Sequence, residues 1–237
     1  MSDLELVAEE NVLTSLRDWI TDRNSQILAI GGSPATAFPS PVALISKCYA
    51  NSARQAEVPV ISHFCSLPAT AASGMSLQEQ GLLSLVYSLI RQLIDCLPPI
   101  VDCAVSCELS AERLTALSGN LTSWKEVLSL IDILLHFAPP LLICVIDGID
   151  VLQDPSTNVH IRSLVRVFLM HTRHYAVPMP DGRTQRVLLK VLFTVAGRPN
   201  PLVETLSESQ STVSESNRSE PPTASLPADA GAVLMNA

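Results

Sequence analysis

The stretch LLICVIDGIDVLQD, residues Leu141 to Asp154, decides how this 237-residue chain is read. Six apolar residues run without polar alternation into Asp147, followed by Gly148, Ile149 and a second acid, Asp150. An unbroken apolar run of that length is how a strand looks when both of its faces are buried, as in the parallel sheets of α/β proteins. Its acid then falls at the strand's carboxyl end. Open α/β sheets bind ligands at that edge, and a carboxylate there is a usual means of holding Mg²⁺ against a nucleotide phosphate. The reading therefore asks for a phosphate-binding loop opposite Asp147.

Working outward, Ser123 and Glu126 have capping-box spacing and predict a helix running to about His136, stopped by Pro139-Pro140. The same prolines, with Asp132 and His136, break the apolar block Val127 to Ile146, so it does not read as a membrane span. After the strand, Asp154-Pro155-Ser156 marks a turn, His160 to His174 a helix, Pro178 to Gly182 a loop, and Arg186 to Val195 a further strand. On the amino-terminal side, residues 3 to 22 have helical apolar spacing, QILAI (26–30) reads as a strand ending at Gly31-Gly32, and SPATAFPSP must be a loop. Val42 to Ala50 resumes as a helix, Val58 to Cys65 is an apolar strand, and a Ser76/Glu79 capping box opens a long helix that Pro98-Pro99 ends. Residues 100 to 121 read as one or two short helices. The order β, α, β, α, α, β, α, β predicts a parallel sheet with helices on both faces.

Composition narrows the function classes. The net charge of −8 argues against partners that need a basic face, namely nucleic acid and anionic membrane. Charged residues are only 16%, and mean hydropathy is +0.31, which suits a chain that buries much surface or leans on a protein partner. The start MSDLELVAEENV has neither a basic nor an apolar signal region, and the six cysteines sit mostly singly in apolar segments. Both point to a reduced, cytoplasmic setting. Cys103 and Cys107 share helical spacing but lack further ligands for zinc. His171 and His174 have i, i+3 spacing with no third ligand in view and read as a solvated helix end. From Glu204 onward five acids stand against the single base Arg218 in a Ser-, Thr- and Pro-rich segment, which predicts a disordered acidic tail over 204–237. The expected organisation is a lead-in helix (1–24), an α/β domain (25–203) and that tail.

Three anchors carry a family resemblance: ILAIGG followed by a loop and helix, LLICVIDGID, and KVLFTVAGRPNPLVETL. Between about Trp19 and Leu206 the chain resembles the signal-transduction (STAND) P-loop NTPases of the NACHT type, in particular the nephrocystin-3-like N-terminal NTPase domain of fungal members. The first anchor stands where that family has its Walker A loop, the second is similar to its Walker B strand, and the third to its sensor strand. The resemblance implies a three-layer P-loop NTPase-like fold. It makes Gly31 and Gly32 nucleotide-binding, Asp147 the Mg²⁺-side carboxylate, Asp150 the acid that positions water, and Thr194 and Arg198 the sensor pair.

The first anchor departs from the family pattern. A working loop needs G-x-x-x-x-G-K-[ST], in which backbone amides wrap the phosphates, lysine neutralises them and a hydroxyl ligates Mg²⁺. From Gly32 the chain reads Ser33, Pro34, Ala35, Thr36, Ala37, Phe38, Pro39, so the second glycine falls at Ala37, the lysine at Phe38 and the hydroxyl at Pro39. Shifting the register brings Ser40 or Ser46-Lys47 near, but no Gly-Lys pair occurs in the segment. Loss of the lysine alone removes a contact worth about 1.5–3 kcal/mol. Val151 also stands where the family has a further acid.

The expectation is thus an incomplete parallel sheet of about four strands and a non-catalytic, NACHT-like pseudo-NTPase acting as a regulatory or scaffold module. It would use no cofactor and would pair with a protein, such as a full-length STAND relative. Two alternatives stand beside it. One is an active ATPase or GTPase using Mg-ATP or Mg-GTP through an atypical phosphate loop, and the other is a fragment of a larger STAND protein without its own function. Taken alone, Asp147-Gly148 also reads as a plain turn and Arg198 as a solvated loop residue.

Overall fold

A computed structural model of the chain describes residues 10–32, 40–72, 74–98, 109–173, 176–178, 184–197 and 200–213. In order, the elements are α1 (Glu10–Thr21), β1 (Gln26–Gly32), α2 (Pro41–Gln55), β2 (Val60–Phe64), α3 (Leu77–Asp95), α4 (Ala111–Thr115), α5 (Trp124–His136), β3 (Leu141–Asp147), α6 (Asn158–Thr172), β4 (Ala176–Pro178), β5 (Thr184–Arg186), β6 (Leu188–Ala196), α7 (Asn200–Val203) and β7 (Ser211–Val213). Five strands form one all-parallel sheet in the order β2-β3-β6-β1-β7, and β4 and β5 form a separate antiparallel pair.

The apolar runs are continuous because helices cover both faces. Leu142, Cys144 and Ile146 of β3 join Val191 and Phe193 of β6 in a core with α3, α5 and α6. Their neighbours Ile143, Val145 and Leu192 point the other way, against Val12, Leu16 and Trp19 of α1 and Val42 and Ile45 of α2. Alternating side chains that are apolar on both faces leave no polar period to read, as expected for a buried parallel strand. The result is a three-layer α/β architecture, an all-parallel sheet with helices on both faces, as expected from the sequence.

Most element ends follow local chemistry. The Ser76 hydroxyl accepts from the Glu79 N–H at 3.1 Å while the Glu79 carboxylate accepts from the Ser76 N–H at 2.9 Å, so the expected capping box starts α3. Ser40 caps α2 by accepting from the Ala43 N–H at 3.2 Å, with Pro41 in the first turn, where its missing N–H costs nothing. The other expected box does not form. Ser123 has φ −94° and ψ 22° and makes no cap bond to α5. A turn of 3-10 helix, Leu121–Ser123, precedes α5, and the Ser123 hydroxyl instead donates to the Asn120 carbonyl at 3.2 Å and accepts from the Ser118 N–H at 3.1 Å.

Two further expectations are corrected. The sheet has five strands, not about four, and residues 204–213 are structured rather than tail. β7 pairs in parallel with β1, with Ser211 opposite Ala29 and Thr212 opposite Ile30, and the Thr212 hydroxyl donates to the Ser15 hydroxyl of α1 at 2.9 Å. Three residues with a β-branched pair suffice to cover the edge of β1, and their signal is lost in the average composition of an acidic segment. Arg186 belongs to β5, and the sheet strand begins at Leu188. Residues 214–237 lie outside the described residues, as do residues 1–9 of the lead-in segment. Among the described residues no helix is long and apolar enough to cross a membrane.

Candidate functional site

Parallel register sets the carboxyl edge of the sheet in a row. Phe64 of β2, Asp147 of β3, Thr194 of β6 and Ile30 of β1 are consecutive partners across it, with Gly31 and Gly32 one and two residues further along β1. The sequence-predicted residues Gly31, Gly32, Asp147 and Thr194 are therefore brought together. Asp150 follows in the 3-10 turn Ile149–Leu152, close enough for the two carboxylates to feel one another. Arg198, Ala37, Phe38 and Pro39 lie outside the described residues, as do Cys103, Cys107 and His174.

The turn that carries the acids is rigidly held. Gly148 has φ +73°, and a β-carbon there would come to 3.3 Å from the Cys65 carbonyl oxygen, so glycine is required both by conformation and by space. Its N–H donates to the Thr194 carbonyl at 2.8 Å, and the Cys65 N–H donates to the Asp147 carbonyl at 2.8 Å. The plain-turn reading of Asp-Gly is met, and the same turn sets Asp150 beside Asp147 at the edge.

Asp147 sits at the end of a hydrogen-bond chain. The Thr194 hydroxyl donates to Asp147 Oδ1 at 2.6 Å, and the same hydroxyl is bonded to the Ser46 hydroxyl of α2. A hydroxyl has one proton. With Thr194 donating to the carboxylate, Ser46 must donate to Thr194, which orders the chain from α2 through β6 to β3. Ser46 and Thr194 are both fully buried. Lys47, the next residue on α2, lies above the edge with Nζ 6.0 Å from the centre of the Phe64 ring, and its charge reaches Asp147.

Burial raises the Asp147 carboxyl above its ordinary 3.8, opposed by the Thr194 hydroxyl and the Lys47 charge. Burial likewise raises Asp150, opposed by its own and the Ala196 backbone amides and reinforced by the Asp147 charge. Among the described residues Asp150 Oδ1 has no hydrogen-bond partner, although it is buried. Burial, with the two acid charges added, pushes the neighbouring Cys65 thiol far up, so it stays protonated.

On the glycine side, the first turn of α2 presses onto β1. A β-carbon on Gly32 would meet Val42 Cγ2 at 2.8 Å. A cleft of about 580 Å³ lies elsewhere, at the amino end of β1, lined among others by Ser15, Asp18, Asp22, Gln26, Arg173 and Thr212 and by none of the edge acids.

Sequence reasoning noted Ser46 and Lys47 only as a shifted register. Their part depends on α2 turning Ser46, one turn after Val42, under β6. His171 was expected at a solvated helix end, whereas its side chain is only 8% exposed and its Nε2 lies 2.7 Å from Asp132 Oδ1. Burial holds that imidazole below its ordinary range, although the Asp132 carboxylate opposes it. The signal available was Asp132 and His136, four residues apart on α5.

No protein-family model matches the chain, and no curated protein matches it at a significant level. Among solved structures the chain is similar to the Aeropyrum pernix ORC2 protein, determined as ADPNP and ADP complexes, with a TM-score of 0.44 and 13% identity over 86% of this chain. The match covers 44% of that protein, less than half its length.

Proposed function

We propose that the chain is a non-catalytic, NACHT-like pseudo-NTPase that works as a regulatory or scaffold module. The observation that carries this reading is the Ser46–Thr194–Asp147 chain. A carboxylate that serves Mg²⁺ and a hydroxyl that ligates it must both be open to the ion. In this protein the carboxylate accepts from a fully buried threonine, and the nearby helix hydroxyl is itself buried and spent on that threonine. The replacement of the phosphate-loop glycine, lysine and hydroxyl by Ala37, Phe38 and Pro39 supports the same conclusion. The acidic balance favours a protein partner, for which a full-length STAND relative in the cytoplasm is the candidate.

A second reading, a Mg²⁺-dependent ATPase or GTPase, draws on the unpartnered Asp150 Oδ1 beside Asp147 and on Lys47 above the edge. Calorimetric and thermal-shift titrations with Mg-ATP and Mg-GTP separate the two. No saturable heat and no shift in melting temperature is the expected result. Saturable binding that Asp147→Asn abolishes would overturn the first reading, and release of phosphate from the same nucleotide would then support the second.

A further inference from the structure

At the far end of β3 from Asp147, just before Leu141, α5 and α6 bring three potential metal ligands together. Asp132 and His136 are one turn apart on α5, which places them on one face of the helix. His171 comes from the last turn of α6. One ligand atom from each of the three lies within 4.8 Å of the other two. The His136 and His171 rings stand edge to face, 4.7 Å between centres and at 73°.

The arrangement has features that a bare hydrogen-bonded pair does not need. His136 Nδ1 lies 2.8 Å from the Asp132 backbone carbonyl. A carbonyl only accepts, so Nδ1 carries the proton and the neutral ring has its lone pair on Nε2. That is the backbone device by which metal-ligating histidines are oriented. Both histidines also stand in the final turns of 13- and 15-residue helices, α5 and α6, so the negative ends of two helix dipoles converge on a cation placed between them.

We infer that Asp132, His136 and His171 form a binding site for a divalent transition-metal ion, with Zn²⁺ the best fit. Two imidazoles and one carboxylate are a ligand set zinc takes in sites that keep a fourth position open, and imidazole donors disfavour Mg²⁺ and Ca²⁺. Ligands about 2.0–2.1 Å from a tetrahedral ion are about 3.3 Å apart. Loading therefore replaces the His171 Nε2–H bond to Asp132, with the ring proton moving to Nδ1, opens that contact slightly and draws the widest pair inward. The side chain of Asp132 is 43% exposed, which leaves the ion an entry path. Bound there, it ties α5 to α6 on the face of the sheet opposite α1 and α2.

The test is zinc titration of the full, metal-stripped chain by calorimetry and thermal melting, with Co²⁺ as the spectroscopic probe. One ion is expected to bind, raising the melting temperature by about 5–10 °C at a hundredfold excess over Kd. Asp132→Asn, which keeps a hydrogen bond to His171, and His136→Gln should each melt within a few degrees of the metal-free parent, yet lose most of the zinc-induced shift. The Co²⁺ form should show d–d bands without thiolate charge transfer. Absence of saturable zinc binding, binding undiminished in both variants, or a thiolate band showing capture by cysteines would each overturn the inference.

Discussion

Thr194 and Asp147 face each other across the β6–β3 pair as register partners, and the Thr194 hydroxyl donates to the Asp147 carboxylate at 2.6 Å. Thr194 is also the acceptor for Ser46, so one side chain of β6 links groups on β3 and α2. Thr194→Val keeps the shape and removes the hydroxyl. It removes the donor to the carboxylate and leaves the Ser46 hydroxyl only the Val42 carbonyl at 3.4 Å, and the expected loss is about 1–3 kcal/mol of stability. Urea midpoints of T194V and T194S check this, with T194S retaining most of what T194V loses.

The two edge acids give the protein a pH signature of definite sign. Both have native pKa values raised above the ordinary 3.8. Between 3.8 and the raised value the native state binds more protons than the unfolded chain, so their contribution to stability falls as pH rises through that window and is flat above it. Asp150→Asn removes the charge on the oxygen that has no partner. The variant should gain on the parent as pH rises from the ordinary carboxylate range towards neutrality, because it removes a group whose ionisation burial opposes. Paired denaturant curves at each pH cancel the other acids; an advantage that does not change with pH would contradict the assignment.

Gly32 is tight against Val42, and the contact couples the end of β1 to the start of α2. Gly32→Ala places a methyl 2.8 Å from a methyl of a buried, β-branched residue with little freedom to move. The expected cost is about 1–3 kcal/mol. Val42→Ala makes room, so G32A/V42A should be less destabilised than the sum of the two single variants. A strictly additive double variant would mean that the strain is relieved elsewhere.

The fold was legible where burial writes itself directly into the chain. β1, β3 and β6 are continuous apolar runs because α1 and α2 cover one face and α3, α5 and α6 the other. One apparent exception inside β6 is Lys190, 2% exposed, whose ammonium donates to the Trp19 carbonyl near the C-terminus of α1 at 2.6 Å. Its long stem and the orphan carbonyl of a helix end explain how a lysine can stand in a buried strand. β7 was not legible, since three residues cannot dominate the composition of an acidic segment. The site was half legible. Asp147 and Thr194 lie on strands whose register follows from their apolar runs, whereas Ser46 and the Asp132, His136 and His171 group depend on how helices rotate onto the sheet. No one-dimensional spacing encodes that rotation.

The two capping-box motifs make the same point as an experiment. S-x-x-E occurs at Ser76/Glu79 and at Ser123/Glu126, and only the first closes both hydrogen bonds. At the second, Asn120 accepts from the Thr122 N–H at 2.9 Å and starts a 3-10 turn, Leu121–Ser123, that runs directly into α5, so Ser123 already lies inside a helical path and cannot cap. Glu79 accepts from a backbone amide that otherwise has no partner at the start of α3, while Glu126 is exposed in the first turn of α5 with only the helix dipole to interact with. Glu79→Ala should therefore cost about 0.5–2 kcal/mol. Glu126→Ala should stay within about 0.5 kcal/mol of the parent. Equal losses in thermal melts of the two variants would show that the second box forms after all.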